Sequence, residues 1–264
     1  LLFGQVNLGN IYASLQYHRF ILQIKGFHAR FENSPLIFLP EGFPVEPVIN
    51  HLTLSPMPAE FITINPDNPE ERKILHVVDC LRNGGLVIYP TDTVYGIGCD
   101  IHNARAVEKI ARIKGIKVQK NDFSFICYDL SHIADYSRVS NACFKLMKKA
   151  LPGPFTFIVS GNNHVPKTLN AKKKTVGIRV PDHEIPRALV KELGNPIITS
   201  SVRDQDEVIE YSTDPELIYE KFQHQVDIVI DGGYGGNVGS TVIDATNDDF
   251  EIVRAGLGDI SLYL

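Results

Sequence analysis

Apolar and polar positions alternate along this chain with two distinct periods. Ile74, Val77, Val78 and Leu81 fall at helical spacing. Asn68 as cap, Pro69 at the first position and Glu71 at the capping-box position predict the start of that helix, and Gly84-Gly85 predicts its end. Leu86 to Tyr89 is a continuous apolar run, as expected for a strand covered on both faces, and Pro90 closes its ladder. Asn103 predicts the cap of a second helix, with Ala106, Val107, Ile110 and Ile113 on one stripe. Phe123, Phe125 and Cys127 alternate with Ser124, Ile126 and Tyr128 and predict a strand. Further strands are predicted over 155–160, 176–180, 196–200, 226–231, 240–245 and 250–254, with helices near 140–150, 185–193 and 214–223. This is the pattern of an α/β or α+β sheet protein with helical cover.

The first 56 residues differ from the rest. They carry six charged side chains, whereas residues 57–264 carry 51, so the charge density more than doubles after Ser55-Pro56-Met57-Pro58. Residues 1–56 are expected to be an extension outside the functional domain, with a natural start at Met57, and residues 57–264 to form one functional domain without internal repeats. The early segment lacks the basic n-region and small-residue cleavage site of a signal peptide.

Composition removes several classes. The chain has 264 residues, 44% hydrophobic and 22% charged, with a formal net charge of -5. Disorder and collagen-like repeats are excluded, and no apolar run approaches the roughly 18 residues of a membrane helix. The acidic balance argues against a surface basic all round, while leaving room for a local basic face. Cys80, Cys99, Cys127 and Cys143 form no CxxC pair, and they are expected to be reduced thiols in a cytoplasmic protein. The chain contains no GxxxxGK[ST] phosphate loop, no GxGxxG fingerprint, no HExxH metal pair and no GxSxG elbow.

What remains is a set of polar residues at the ends of apolar strands, where open α/β sheets place ligands. Tyr89-Pro90-Thr91-Asp92-Thr93-Val94-Tyr95-Gly96-Ile97-Gly98 follows a buried strand and reads either as a turn or as a ligand loop. Pro152-Gly153-Pro154-Phe155-Thr156 is a stiff turn that delivers a hydroxyl, or simply a helix stop. Arg179, in Gly177-Ile178-Arg179-Val180-Pro181-Asp182-His183, needs a partner inside its apolar strand: a ligand carboxylate, a phosphate or a structural acid. Thr199-Ser200-Ser201 ends another strand. The glycine-rich stretch from Gly232 to Thr241 suits either an anion or a hairpin loop, and Arg254-Ala255-Gly256 adds a cation.

In order, YPTDTVYGIG, PGPFT, GIRVPDH, PIITSS, DGGYGGNVGSTVID and RAG resemble the Sua5/YciO/YrdC family, the threonylcarbamoyl-adenylate synthases, over roughly residues 60–264. The resemblance implies a twisted open mixed sheet with helices around a positively charged cavity. It also implies a nucleotidyltransferase that makes threonylcarbamoyl-AMP and pyrophosphate from L-threonine, bicarbonate and ATP, for modification of adenosine 37 in certain tRNAs. Carried over by position, Lys114 and Arg179 are the catalytic candidates, Thr93 and Ser240 would bind substrate, and Thr156, Ser201 and Arg254 would bind the nucleotide. Mg2+ would arrive with ATP and needs no dedicated protein site. Two positions depart from the synthase pattern: Ile116 stands where an arginine is expected, and Val202 where an asparagine is expected. Both make the chain more similar to the YciO-like branch. The alternative is therefore a nucleotide-binding or double-stranded-RNA-binding protein with little synthase activity, with Lys145, Lys148, Lys149 and Lys172-Lys173-Lys174 as its basic face.

Overall fold

The computed structural model describes residues 19–24, 27–32, 57–116, 123–166, 175–202 and 212–263. The chain divides into two compact units, Leu1–Pro56 and Met57–Leu264. In the first, strands β1 (Arg19–Ile24) and β2 (Phe27–Glu32) pair antiparallel, with Arg19 opposite Glu32.

The second unit is built on one mixed sheet. Its strands are β3 (Glu60–Thr63), β4 (Val87–Tyr89), β5 (Gly96–Asp100), β6 (Ser124–Ile126), β7 (Ser137–Arg138), β8 (Phe155–Gly161), β9 (Thr175–Arg179), β10 (Ile197–Ser201), β11 (Ile228–Asp231), β12 (Thr241–Asp244) and β13 (Glu251–Arg254). They are ordered β13-β12-β8-β9-β6-β10-β5-β4-β11-β3, with β7 beside β8. The helices are α1 (Glu71–Arg82), α2 (Ala104–Ile113), α3 (Ile133–Tyr136), α4 (Asn141–Ala150), α5 (Glu184–Leu193) and α6 (Pro215–Phe222). No helix among the described residues is long and apolar enough to cross a membrane.

Successive strand residues point to opposite faces, and the core divides accordingly. Leu86 and Ile88 join a cluster with Phe125, Phe155, Phe157, Ile178 and Ile198, covered by apolar residues of α2, α4 and α6. Val87 and Tyr89 join the other cluster, with Ile126, Ile197, Ile228 and Ile230, covered by α1 and α5. The predicted stripe of α1, Ile74, Val77, Val78 and Leu81, is fully buried there. Each such side chain contributes about 1.5–3 kcal/mol of burial energy.

Most predicted elements form within a residue or two of the expected limits. The cap of α1 is a correction. Helix begins at Glu71 with Glu70 in the cap position, and Asn68 does not cap it. Asn65 instead accepts backbone bonds from Asp67 and Asn68, so the Asn-Pro pair sits in a turn ahead of the helix. Asn103 caps α2 as expected, accepting from the Ala106 amide at 3.0 Å. Strand β5 was not foreseen, because Gly96 and Gly98 lower strand propensity. Packing demands them: a Cβ at Gly98 would lie 2.6 Å from Ile197 Cγ2 and 2.9 Å from both Ile198 O and Tyr89 Oη. All four cysteines are free thiols. Burial pushes Cys99 and Cys127 up to about 12 and Cys143 up to about 11, so they are chemically quiet.

Helix α5 begins with an unusual cap, His183, whose Nδ1 accepts from the Ile185 amide at 3.3 Å. Burial holds its pKa below the ordinary 6.5, against the opposing pull of Asp92, Glu184, Asp182 and Asp67.

Two predictions follow from this packing. Gly98→Ala is expected to destabilise the protein by about 1–3 kcal/mol through overpacking, read from denaturant unfolding. For His183, the unfolded chain takes up a proton before the folded one as pH falls. Its contribution to stability is therefore complete above pH 6.5 and is lost as pH drops through the lower folded value. His183→Asn, which keeps a capping acceptor, is expected to flatten that acid-side slope in unfolding curves recorded from pH 7.5 to 5.

Candidate functional site

The two helical layers do not cover the sheet equally. On the face carrying α1 and α5, the part of the sheet from β5 through β10, β6, β9, β8 and β12 is left open as a cavity of about 1300 Å³. Strand alternation supplies its floor. Ser124 shares a face with the buried Ile126, and Thr199 and Ser201 share one with Ile197, so the same strands carry core residues under the helices and hydroxyls under the cavity. Ser124 lies opposite both Gly177 and Thr199, and Gly177 lies opposite Ile158. Thr199, Ser124 and Gly177 make a floor of small residues across three strands, and Ile158 continues it on β8.

Lys114, Thr156, Arg179, Ser201, Ser240 and Arg254 all line this cavity, although up to 140 residues separate them along the chain. The charged side chains among its described lining residues are Lys114, Arg179 and Arg254, all cationic. Thr156 Oγ1 and Ser240 Oγ lie 2.8 Å apart. Lys114 ends α2 and donates to the Val202 carbonyl at 3.2 Å. No cluster of three His, Cys, Asp or Glu side chains among the described residues could hold a metal ion.

Arg254 reaches the site through a β-bulge. Val242 pairs with Arg254 and Ile243 with Ile252, which leaves Val253 as an extra residue. Both Val253 and Arg254 consequently line the cavity, which strict alternation would forbid. The Arg254 Nη2 donates to the Ser240 carbonyl at 2.9 Å. Partial desolvation, and then repulsion from Arg179, pull Arg254 below the ordinary arginine range, though it stays charged at neutral pH.

Thr93 lies elsewhere. It is fully buried and is not among the lining residues; its hydroxyl accepts from Arg179 Nη2 at 2.5 Å. The same nitrogen donates to Thr91 Oγ1 at 3.0 Å and to Asp92 Oδ1 at 2.5 Å. The partner left open for Arg179 is therefore Asp92, a structural acid on the TDT segment, and the pair is about nine-tenths buried. The glycine-rich loop packs over this segment. A Cβ at Gly236 would collide with the Thr93 carbonyl oxygen. Tyr95 Oη fastens the loop by donating to Gly233 O at 2.7 Å, and Gly239 and Ser240 line the cavity beyond it.

The two departures behave differently. Ile116 does face the cavity. Val202 is 1% exposed and belongs to the core; only its carbonyl reaches toward the site, through Lys114. The basic face divides as well. Lys145, Lys148 and Lys149 are exposed on α4, which packs on the opposite face of the sheet from the cavity. Lys172, Lys173 and Lys174 lie outside the described residues. Gly96 belongs to the candidate loop after β4, whereas Ser124 was not among the candidates, although the alternation around Phe123 and Phe125 already set it apart from the core. The bulge at Val253 has no sequence signal.

The fold and these motifs have counterparts. The Sua5/YciO/YrdC family model, described as "Telomere recombination", matches residues 79–256. The uncharacterised protein YciO of Escherichia coli strain K12 is 42% identical over 207 residues, which cover 78% of this chain and all of that protein. The crystal structure of E. coli YciO matches with a TM-score of 0.73 at 41% identity over 78% of this chain and all of that one. The structure of P. abyssi Sua5 complexed with L-threonine matches with a TM-score of 0.65 at 29% identity, over 74% of this chain and 57% of that one. With the family model spanning most of the sheet and a 42%-identical relative aligned over its whole length, the chain belongs to the Sua5/YciO/YrdC family.

Proposed function

We propose that the cavity binds ATP and L-threonine and joins them, with bicarbonate, into threonylcarbamoyl-AMP. The observation that carries this reading is the pair of guanidinium groups, Arg179 and Arg254, which face one hollow and repel each other there. A polyphosphate relieves that repulsion, and a positive field in the cavity is part of the reading. Two further features support it. A volume of about 1300 Å³ has room for a nucleotide and an amino acid together. The related P. abyssi Sua5 is known in complex with L-threonine.

The chemistry asks for positioning and charge stabilisation, which this site offers without a covalent nucleophile. The threonine amine takes up the bicarbonate carbon with loss of water, giving a carbamate. A carbamate oxygen then attacks the α-phosphorus of ATP, and the bond to pyrophosphate breaks. On this reading Lys114 and Arg179 stabilise the charge that develops, and Thr156, Ser201 and Arg254 hold the nucleotide. Ser240 meets the substrate, while Thr93 acts through Arg179. Magnesium would arrive with ATP and would help neutralise the charge of its phosphates. The product is an activated acyl group for tRNA modification, a cytoplasmic task.

Ile116 favours a second reading. An apolar side chain at a cavity position where the synthase pattern has arginine removes one two-pronged anion contact. Nucleotide binding with little turnover is the outcome if that contact is essential, and double-stranded RNA is the partner to test beside it.

Incubation with ATP, L-threonine and bicarbonate is expected to release pyrophosphate only when all three are present. ATP binding by calorimetry without release would select the second reading, and RNA affinity that collapses with rising salt would select its RNA form. Arg254→Ala is expected to weaken ATP binding by about tenfold or more, the loss of a charged hydrogen bond worth roughly 1.5–3 kcal/mol. Arg254 suits this test because it lies on a strand exposed along its length, so its removal leaves no buried charge.

A further inference from the structure

The ion pair between Arg179 and Asp92 is only half made. A guanidinium and a carboxylate normally meet along two parallel bonds. Here Arg179 Nη2 binds Asp92 Oδ1, while the two atoms that would complete the fork, Arg179 Nε and Asp92 Oδ2, are both buried without a partner. They are the two unpartnered buried side-chain atoms among the described residues. Leaving them unpaired is costly at a site about nine-tenths enclosed.

The hydroxyls on either side of Asp92 account for the geometry. Nη2 carries two hydrogens yet faces three oxygens, those of Thr91, Asp92 and Thr93. Thr91 is fixed in turn, donating to the Val94 carbonyl at 2.7 Å and accepting from the Thr93 amide at 3.2 Å. The Thr91 hydroxyl cannot follow the guanidinium without losing these bonds, and the buried Thr93 hydroxyl lies 3.3 Å from it. Turning Arg179 to complete the fork with Asp92 would therefore break its bonds to both threonines.

We infer that the hydroxyls of Thr91 and Thr93 hold Arg179 off a two-pronged pair with Asp92, and that these three residues position its guanidinium for an anionic ligand in the cavity. They are positioning residues. The burial of Thr93 behind Arg179 is the direct sign of this. That the anion is ATP rests on the function proposed above; the positioning does not.

The test uses the full chain and needs no ligand for its first arm. The Arg179 Nε–H resonance, assigned by its loss in Arg179→Lys, is compared among the unaltered protein, Thr93→Val and Thr93→Ser. Valine matches the shape of threonine without the hydroxyl, so Nε–H is expected to gain Asp92 Oδ2 as acceptor, move downfield and exchange with solvent at least tenfold more slowly. Serine restores the hydroxyl and is expected to restore the original signal. In the second arm, ATP affinity is expected to fall about tenfold in Thr93→Val and to change less than twofold in Thr93→Ser. Thr93→Ala stands in if valine prevents folding. An Nε–H signal unchanged by Thr93→Val overturns the inference, as does full ATP affinity in that variant. If the unaltered protein does not bind ATP but its Nε–H responds as described, the positioning stands and the nucleotide reading fails.

Discussion

A β-strand presents every second residue to the same side, and the architecture depends on that constraint. One face of the central strands is covered by α2, α4 and α6, which requires apolar residues at alternate positions there. The other face is covered by α1 and α5 only over part of its width. Strands that run from the covered part into the open part must change chemistry along their length. β6 does so between Ile126 and Ser124, and β10 between Ile197 and Thr199. The cavity is the part of a sheet face that lacks helical cover.

An arginine on that face carries a cost that the surrounding structure offsets. Arg179 sits at the end of β9, among neighbours that are otherwise small or apolar, and Asp92 arrives from the turn after β4 to pair with it. The turn is held by its own hydroxyls and is packed under the glycine-rich loop, where Gly236 lies against the Thr93 backbone. The TDT segment and the glycine-rich loop, distant in sequence, thus form one support for a single guanidinium. Arg254 comes from the other side, redirected by an extra residue in β13. Two cations thus reach one cavity by two unrelated devices.

The basic residues on α4 belong to a different surface. Their helix buries Cys143, Leu146, Met147 and Ala150 and leaves the lysines outward, on the side of the sheet opposite the cavity. A nucleic acid held by them would not occupy the cavity, so a test of RNA binding and a test of nucleotide binding address different surfaces.

Local sequence determined five of the six described helices and most strands, because a stripe such as Ile74, Val77, Val78 and Leu81 needs only an apolar partner to become buried, whatever that partner is. Of the seven candidate residues that the family resemblance supplied, six line the cavity, while residue pattern alone left their stretches open between a ligand site and a turn. Tertiary structure decided what depends on a neighbour remote in the chain. β5 is a strand because β4 and β10 flank it closely enough to require glycine. Thr93, which the resemblance makes a substrate contact, is buried with its hydroxyl on Arg179, 86 residues away. Val202 turns its side chain into the core and offers only a carbonyl to the site. Sequence periodicity reports which face a residue takes, but it cannot report which partner waits on that face, and in this protein the partner assigns the role.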